Sequence, residues 1–410
     1  MPDTLISPPA SDWTVSDLGA LCASGGGDIQ TGPFGSQLHA SDYVPTGTPA
    51  VMPQNIGDNV ILEQGIARIT TDDALRLSKY RLREGDIVYS RRGDVERRAL
   101  VHSENDGWLC GTGCLRVRLG SAANPRFMSY YLGHPDVREW IVRHAIGATM
   151  PNLNTNILAA LPVTLPPGHV QDLIAKALGA LDDKIAANER TAVVVDELAA
   201  SLLDEALDRP GASEVRLGQI AQVNARQIKP VINGYLRYID ISSVSTGRVD
   251  WPGRIPWSIA PGRARRGLQP GDTIWSTVRP SRRSYALILD SDPELVASTG
   301  FVVLTPDLVG PAFLYEVTKR DDFLQYLESV AEGSAYPAVR AERFSQALIR
   351  IPPRSSLKRF ETCAIELRRR AESAQQESRG LAELRDTLLP RLMSGEIRVR
   401  EAEKIVEDAT

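Results

Sequence analysis

The sequence predicts an α+β chain in which two similar modules alternate with two long helices. Three observations carry that reading. Short motifs recur in the same order at an offset of about 186 residues. The recurring pieces read as strands and turns, and each copy is followed by an unbroken 4-3 stripe of mostly apolar positions. A length of 410 residues allows two or three domains, each with its own core. At 42% hydrophobic and 24% charged, the composition is that of a folded globular protein. No stretch approaches the run of about 18 apolar residues that a membrane span needs. Met1 to Ala10 lacks a basic segment leading into an apolar one, so no secretory signal is expected. Four cysteines are too few for a disulfide scaffold, which points to a reducing, cytoplasmic setting.

The first module is expected over 1–166. Gly85-Asp86 opens a short strand to Ser90, Leu115 to Leu119 alternates apolar and basic residues, and helices are predicted at Phe127 to Leu132 and Val137 to His144. Gly147 to Pro151 reads GATMP, and Pro166-Pro167 closes the copy. The second module, 210–353, repeats these features. Gly271-Asp272-Thr273-Ile274-Trp275-Ser276 matches Gly85 to Ser90, and Gly333 to Pro337, reading GSAYP, matches GATMP. Gly300 to Leu304 falls near Gly113 to Val117 at offset 187, and Leu217-Gly218 resembles Leu18-Gly19. A helix is predicted over Pro311 to Val330, and Pro352-Pro353 ends the copy.

A long helix is expected at 167–209 and another at 354–394, with an acidic tail at 395–410. The first carries Ile174, Leu178, Leu181, Ile185, Asn188, Ala192, Val195, Ala199, Leu202 and Ala206 at 4-3 spacing. The second carries Phe360, Ala364, Leu367, Ala371, Ala374, Ser378, Leu381, Arg385, Leu388 and Leu392. Stripes of equal length suggest that the two helices pack on each other as a coiled coil, a rod of roughly 60 Å at 1.5 Å per residue. Two long helices lying across a domain surface are the blander alternative. Asn188 fits either a register-setting position or a solvent edge.

Net charge is −4, yet Arg76 to Arg98 holds eight Lys/Arg against four Asp/Glu, and Arg248 to Arg283 holds eight Arg against two Asp. Such patches attract phosphate even on an acidic chain. Catalytic signatures are missing: there is no GxxxxGK[ST] loop, GxSxG, HExxH or Asn/Asp-Pro-Pro-Tyr segment. Cys110 and Cys114, with His102 upstream, lack the second Cys pair of a structural zinc, so no metal is expected.

Several segments carry a family resemblance. Thr31 to Leu38 reads TGPFGSQL, followed by Asp42-Tyr43, Pro53-Gln54-Asn55-Ile56, Gly85 to Val88 and Ala148 to Leu153. Leu161-Pro162-Val163 then leads into Gln171, Ile174, Leu181 and Lys184-Ile185, and Leu388 to Glu396 reads LLPRLMSGE. In these the chain resembles the specificity subunits of Type I restriction–modification systems over essentially its whole length. The resemblance implies two target-recognition domains, each reading half of a split sequence in double-stranded DNA, spaced by an antiparallel pair of conserved helices. It implies two modification subunits that bring S-adenosylmethionine and the adenine-methylating site, and restriction subunits that bring ATP and Mg²⁺. The chain itself would then be no enzyme and hold no cofactor. The second copy departs from the pattern, with Ala225 to Lys229 where GPFGS would stand and Ala335 to Val339 opposite Thr149 to Leu153.

The residues expected to meet DNA are Arg91, Arg92, Arg97 and Arg98 after the first Gly-Asp strand, and Arg279, Arg282 and Arg283 after the second. Tyr43, Gln54 and Asn55 are weaker candidates for polar or stacking contacts. Alternatives from other classes are a protein-only scaffold, a self-contained nuclease or methyltransferase, and a specificity subunit of a related DNA-modification defence system.

Overall fold

A computed structural model of the chain describes residues 4–6, 12–147 and 151–410, so Ala148-Thr149-Met150 of the GATMP segment lie outside it. The chain divides into two compact units, Met1–Ala186 with Arg379–Thr410, and Ala187–Ser378. Both cuts fall within long helices, Gly168–Leu207 and Arg354–Met393, so each unit holds one module and part of each helix.

In the first unit a four-stranded sheet runs Asp28–Thr31, Cys114–Arg118, Ile87–Ser90, Arg98–Leu100, every neighbour antiparallel. Its centre begins at a tight turn. Gly85 has φ +85°, a conformation few side chains adopt, and the Asp86 carboxylate accepts the Arg83 N–H at 2.8 Å. The strand that follows is buried at all four positions. A three-stranded sheet adds Ala67–Ile69, Tyr43–Val51 and Leu109–Cys110, the last pair parallel. Thr14–Asp17 pairs with Pro162–Leu165, closing the module onto its own end. Helices form at Pro125–Tyr131, where Asn124 caps the Phe127 N–H, and at Pro135–His144. The core joins Tyr89, Leu115, Phe127 and Tyr131 to Ile174, Leu178 and Leu181 of one long helix and Leu381, Leu388 and Leu392 of the other. The acidic residues after Gly395 lie mostly on a helix, Val399–Ala409, whose Ala402 and Val406 enter the same core.

The second unit repeats this plan. Its sheet runs Ala221–Val223, Phe301–Pro306, Thr273–Ser276, Tyr285–Leu287, again antiparallel throughout. A second sheet orders Arg254–Pro256, Tyr235–Ile239, Leu295–Ser298 and Ala264–Gly267, with one parallel pair as in the first unit. Ser213–Arg216 closes on Leu348–Ile351. Isolated bridges repeat as well. Arg92 and Ile146 each bridge Asn152, while Val278 and Glu332 each bridge Ala338, every member displaced by 186. The helix expected over Pro311 to Val330 is two, Pro311–Thr318 and Asp321–Ser329. Arg320 has left the helical region at ψ 153°, and its guanidinium pairs with Asp204 and Asp322 instead.

Within each unit the two long helices run in opposite directions. Asp182 meets Arg385 at 2.8 Å in the first unit. In the second, the Asn188 amide donates to Glu377 at 2.8 Å and Asp196 meets Arg368 at 2.5 Å, so rising numbers on one helix face falling numbers on the other. The buried positions follow the stripes: Ile174, Leu178, Leu181, Asn188 and Val195 on one helix, Phe360, Leu381, Leu388 and Leu392 on the other. Ile185, Leu202 and Leu367 are half-buried. Among the described residues no helix is long and apolar enough to cross a membrane.

Candidate nucleic-acid interface

Antiparallel order places the end of Asp28–Thr31, the start of Cys114–Arg118 and the end of Ile87–Ser90 at one end of the first sheet. The loops leaving those strands therefore converge. Gly32 N–H donates to the Cys114 carbonyl and Arg91 N–H to the Gly113 carbonyl, holding the Gly32-Pro33-Phe34-Gly35 loop beside Arg91. Gln37 pins that loop, its side-chain oxygen accepting the Tyr80 hydroxyl at 2.7 Å and the Phe34 N–H at 3.3 Å. Phe34 is 54% exposed, and the Arg91 guanidinium lies 5.9 Å from its ring centroid. Arg91 Nε also donates to the Asn152 side chain at 3.3 Å, which ties the half-buried guanidinium to that segment. Arg92 and Arg97 are exposed; Arg97 pairs with Asp94 at 3.1 Å, whereas Arg92 makes no ion pair among the described residues.

The corresponding end of the second sheet carries a related cluster. Arg279 stacks 4.6 Å from the Tyr336 ring centroid, and Tyr336 is 70% exposed. Arg279 and Arg283 hold φ values of +50° and +52°, which non-glycine residues rarely adopt. Such strain persists only where its surroundings enforce it. Here the Arg279 N–H is held by the Pro337 carbonyl, and the Arg283 guanidinium is paired with Asp321. Arg282 is exposed and makes no ion pair among the described residues. Phe34 and Tyr336 were not singled out as contacts from sequence. Their signal was present, since each sits in a Gly-led loop, GPFGS or GSAYP.

Two expected contacts belong to the interior. Arg98 is 6% exposed; its Nε donates to the Ser129 carbonyl at 2.6 Å and its guanidinium lies 3.6 Å from Asp58. Burial pushes its pKa down, and the group is already engaged, so it is a packing residue and not a surface cation. Asn55 is fully buried, donating to the Leu62 and Gln64 carbonyls and accepting the Met52 N–H, a pin for the loop around it. Tyr43 is half-buried at the start of its strand, where burial raises its pKa, while Gln54 is exposed.

Cys110 and Cys114 are buried free thiols, the former pushed up to about 12 by burial, and so unreactive. Among the described residues no group of three His, Cys, Asp or Glu side chains is placed to hold a metal ion.

The family model for the Type I restriction modification DNA specificity domain matches residues 10–195. The HindI Type I restriction enzyme specificity subunit of Haemophilus influenzae is 26% identical over 100 residues. That match covers 23% of this chain and only 22% of the relative's length. The S subunit of the Type I restriction–modification system from M. genitalium shares the fold, with a TM-score of 0.58 at 16% identity, covering 94% of this chain and 99% of that one. The chain is thus similar to the specificity subunits of Type I restriction–modification systems, in sequence over residues 10–195 and in fold over most of its length.

Proposed function

We propose that this chain is the DNA-recognition subunit of a Type I restriction–modification complex, with each module reading one half of a bipartite target. The observation that carries this reading is the repeated placement of a half-buried arginine beside an exposed aromatic at the same end of two equivalent sheets, Arg91 by Phe34 and Arg279 by Tyr336. Arginine suits both guanine edges and phosphates, and a ring beside it suits a base or sugar face. Arg92, Arg97, Arg282 and Arg283, with Tyr43 and Gln54 as lesser contacts, complete the surface. Arg98 and Asn55 are buried and stand outside that surface.

The chain carries no chemistry of its own in this reading. Two modification subunits bind along the helices and supply S-adenosylmethionine and the adenine-methylating site; restriction subunits supply ATP- and Mg²⁺-dependent translocation and cleavage. Val193, Val194 and Leu198 leave apolar surface exposed on the first long helix, and such a patch suits a protein partner. The helices pair as an antiparallel coiled coil and set the gap between half-sites, with the modules over 1–166 and 210–353 and the spacers over 167–209 and 354–394.

The test is co-expression with a partner adenine methyltransferase, followed by mapping of methylated adenines. Methylation confined to a split sequence, and only when both proteins are present, is the expected result. Methyl transfer by this chain alone, or a complex that modifies DNA without sequence preference, would defeat the reading.

A further inference from the structure

The first module carries a second basic feature, on the face of its four-stranded sheet and not at the loop end. A cleft of about 720 Å³ opens there, lined by Lys79, Arg81, Arg83, Arg116 and Arg118, with Asp28 and Asp106 as its acidic members. Two of the cations are already matched: Arg118 pairs with buried Asp86 at 2.6 Å and Arg116 with Asp28 at 2.5 Å. Arg81 spends its Nε on the Gly107 carbonyl and keeps its charge. Lys79 and Arg83 are exposed and make no ion pair among the described residues. The cleft therefore holds an excess of positive charge over an Arg116 floor that is 4% exposed and whose Nε has no hydrogen-bond partner.

The fold does not require four of these five cations, as the second module shows. The second module builds the same strands with Val303 and Thr305 opposite Arg116 and Arg118, and with Gly267 and Gln269 opposite Arg81 and Arg83, keeping a cation only opposite Lys79, at Arg265. There Arg226 and the Thr305 hydroxyl satisfy Asp272, which stands where Asp86 stands in the first copy. Arg118 serves the aspartate, and Arg116 and Arg81 bind backbone carbonyls, whereas Lys79 and Arg83 make no ion pair among the described residues.

We propose that this cleft is a phosphate-binding site peculiar to the first module. Exposed cations at the rim over buried or bonded guanidinium groups within suit a phosphate or diphosphate oxygen cluster. The phosphate can come from the DNA backbone, as the proposed function would supply, or from a free phosphorylated ligand.

The test uses the full chain and a Lys79→Gln/Arg83→Gln variant, both side chains being exposed, with equal thermal melts confirming the fold. Binding of inorganic pyrophosphate is measured by calorimetry, and binding of a DNA duplex is followed across a salt series. Loss of pyrophosphate affinity by about tenfold, with a DNA salt slope shallower by about one to two, assigns the site to the DNA backbone. The pyrophosphate loss with an unchanged DNA slope assigns it to a free ligand, and a changed slope alone again assigns it to the backbone. If neither arm distinguishes the variant from the parent chain, the proposal is overturned. Should the parent chain and its complexes bind no DNA, the recognition reading fails separately, and the pyrophosphate arm still decides this one.

Discussion

Four arginines within eight residues, Arg91 to Arg98, meet different fates, and the difference is geometric. Arg91 and Arg92 leave the end of Ile87–Ser90 into a loop, whereas Arg98 opens the next strand opposite Tyr89, where its side chain turns inward. Replacing Arg91 and Arg92 by Ala, or Arg279 and Arg282 by Ala, is therefore expected to weaken DNA binding by the assembled complex. The salt dependence should become shallower by up to about one unit of slope for each lost phosphate contact. Unchanged affinity and slope for both pairs at several ionic strengths would make these clusters ordinary surface. Arg98→Ala is expected to act differently. It strands the Ser129 carbonyl in the interior and lowers stability by about 1–3 kcal/mol, read as a denaturation midpoint, with the salt slope of the folded complex unaltered. The sequence displayed the basic cluster and its double occurrence. It could not say which members face inward, because that depends on where the strand after Gly93-Asp94 resumes, a matter of one residue of register.

At the scale of elements the stripes on the long helices were legible because a 4-3 period survives whatever the side chains touch. The charged contacts beside them were not, since they join residues far apart in the chain. Tyr130 donates to Asp182, which also meets Arg385, in the first unit. In the second, Tyr315, at offset 185, lies under Arg368, which meets Asp196 and the buried Glu316. A tyrosine of the module, an aspartate of one helix and an arginine of the other thus recur as a set. Nothing local in the sequence marks Glu316 as buried, as it sits in an otherwise apolar helical turn. Arg368→Ala is expected to destabilise the second unit by about 3 kcal/mol, because it leaves Glu316 charged and buried with only Lys319 beside it. Arg368→Met combined with Glu316→Leu should recover most of that loss, read as urea midpoints. A double variant no better than the single one would show that the arginine acts through Asp196 alone.

For the whole molecule, the consequence of the proposed function is that helix length sets the distance between half-sites. The polar contact of Asn188 with Glu377 marks a point near the middle of both helices, next to Ala186 and Ser378. Inserting one heptad into each helix there keeps the apolar stripes in phase and lengthens the pair by about 10 Å at 1.5 Å per residue. At about 3.4 Å per base pair this corresponds to roughly three added base pairs between the half-sequences. The half-sequences should stay the same, because the loops around Arg91 and Arg279 are untouched. Each heptad also turns the helix pair and the added DNA by different amounts, so weaker binding is expected alongside the longer gap. Three residues inserted into one helix only should instead rotate apolar positions out of the seam and cost assembly, which separates a spacing effect from simple disruption. The readout is the map of methylated adenines in cells carrying each variant with its modification partner. An active heptad variant that keeps the original gap would mean that partner subunits, not these helices, fix the distance.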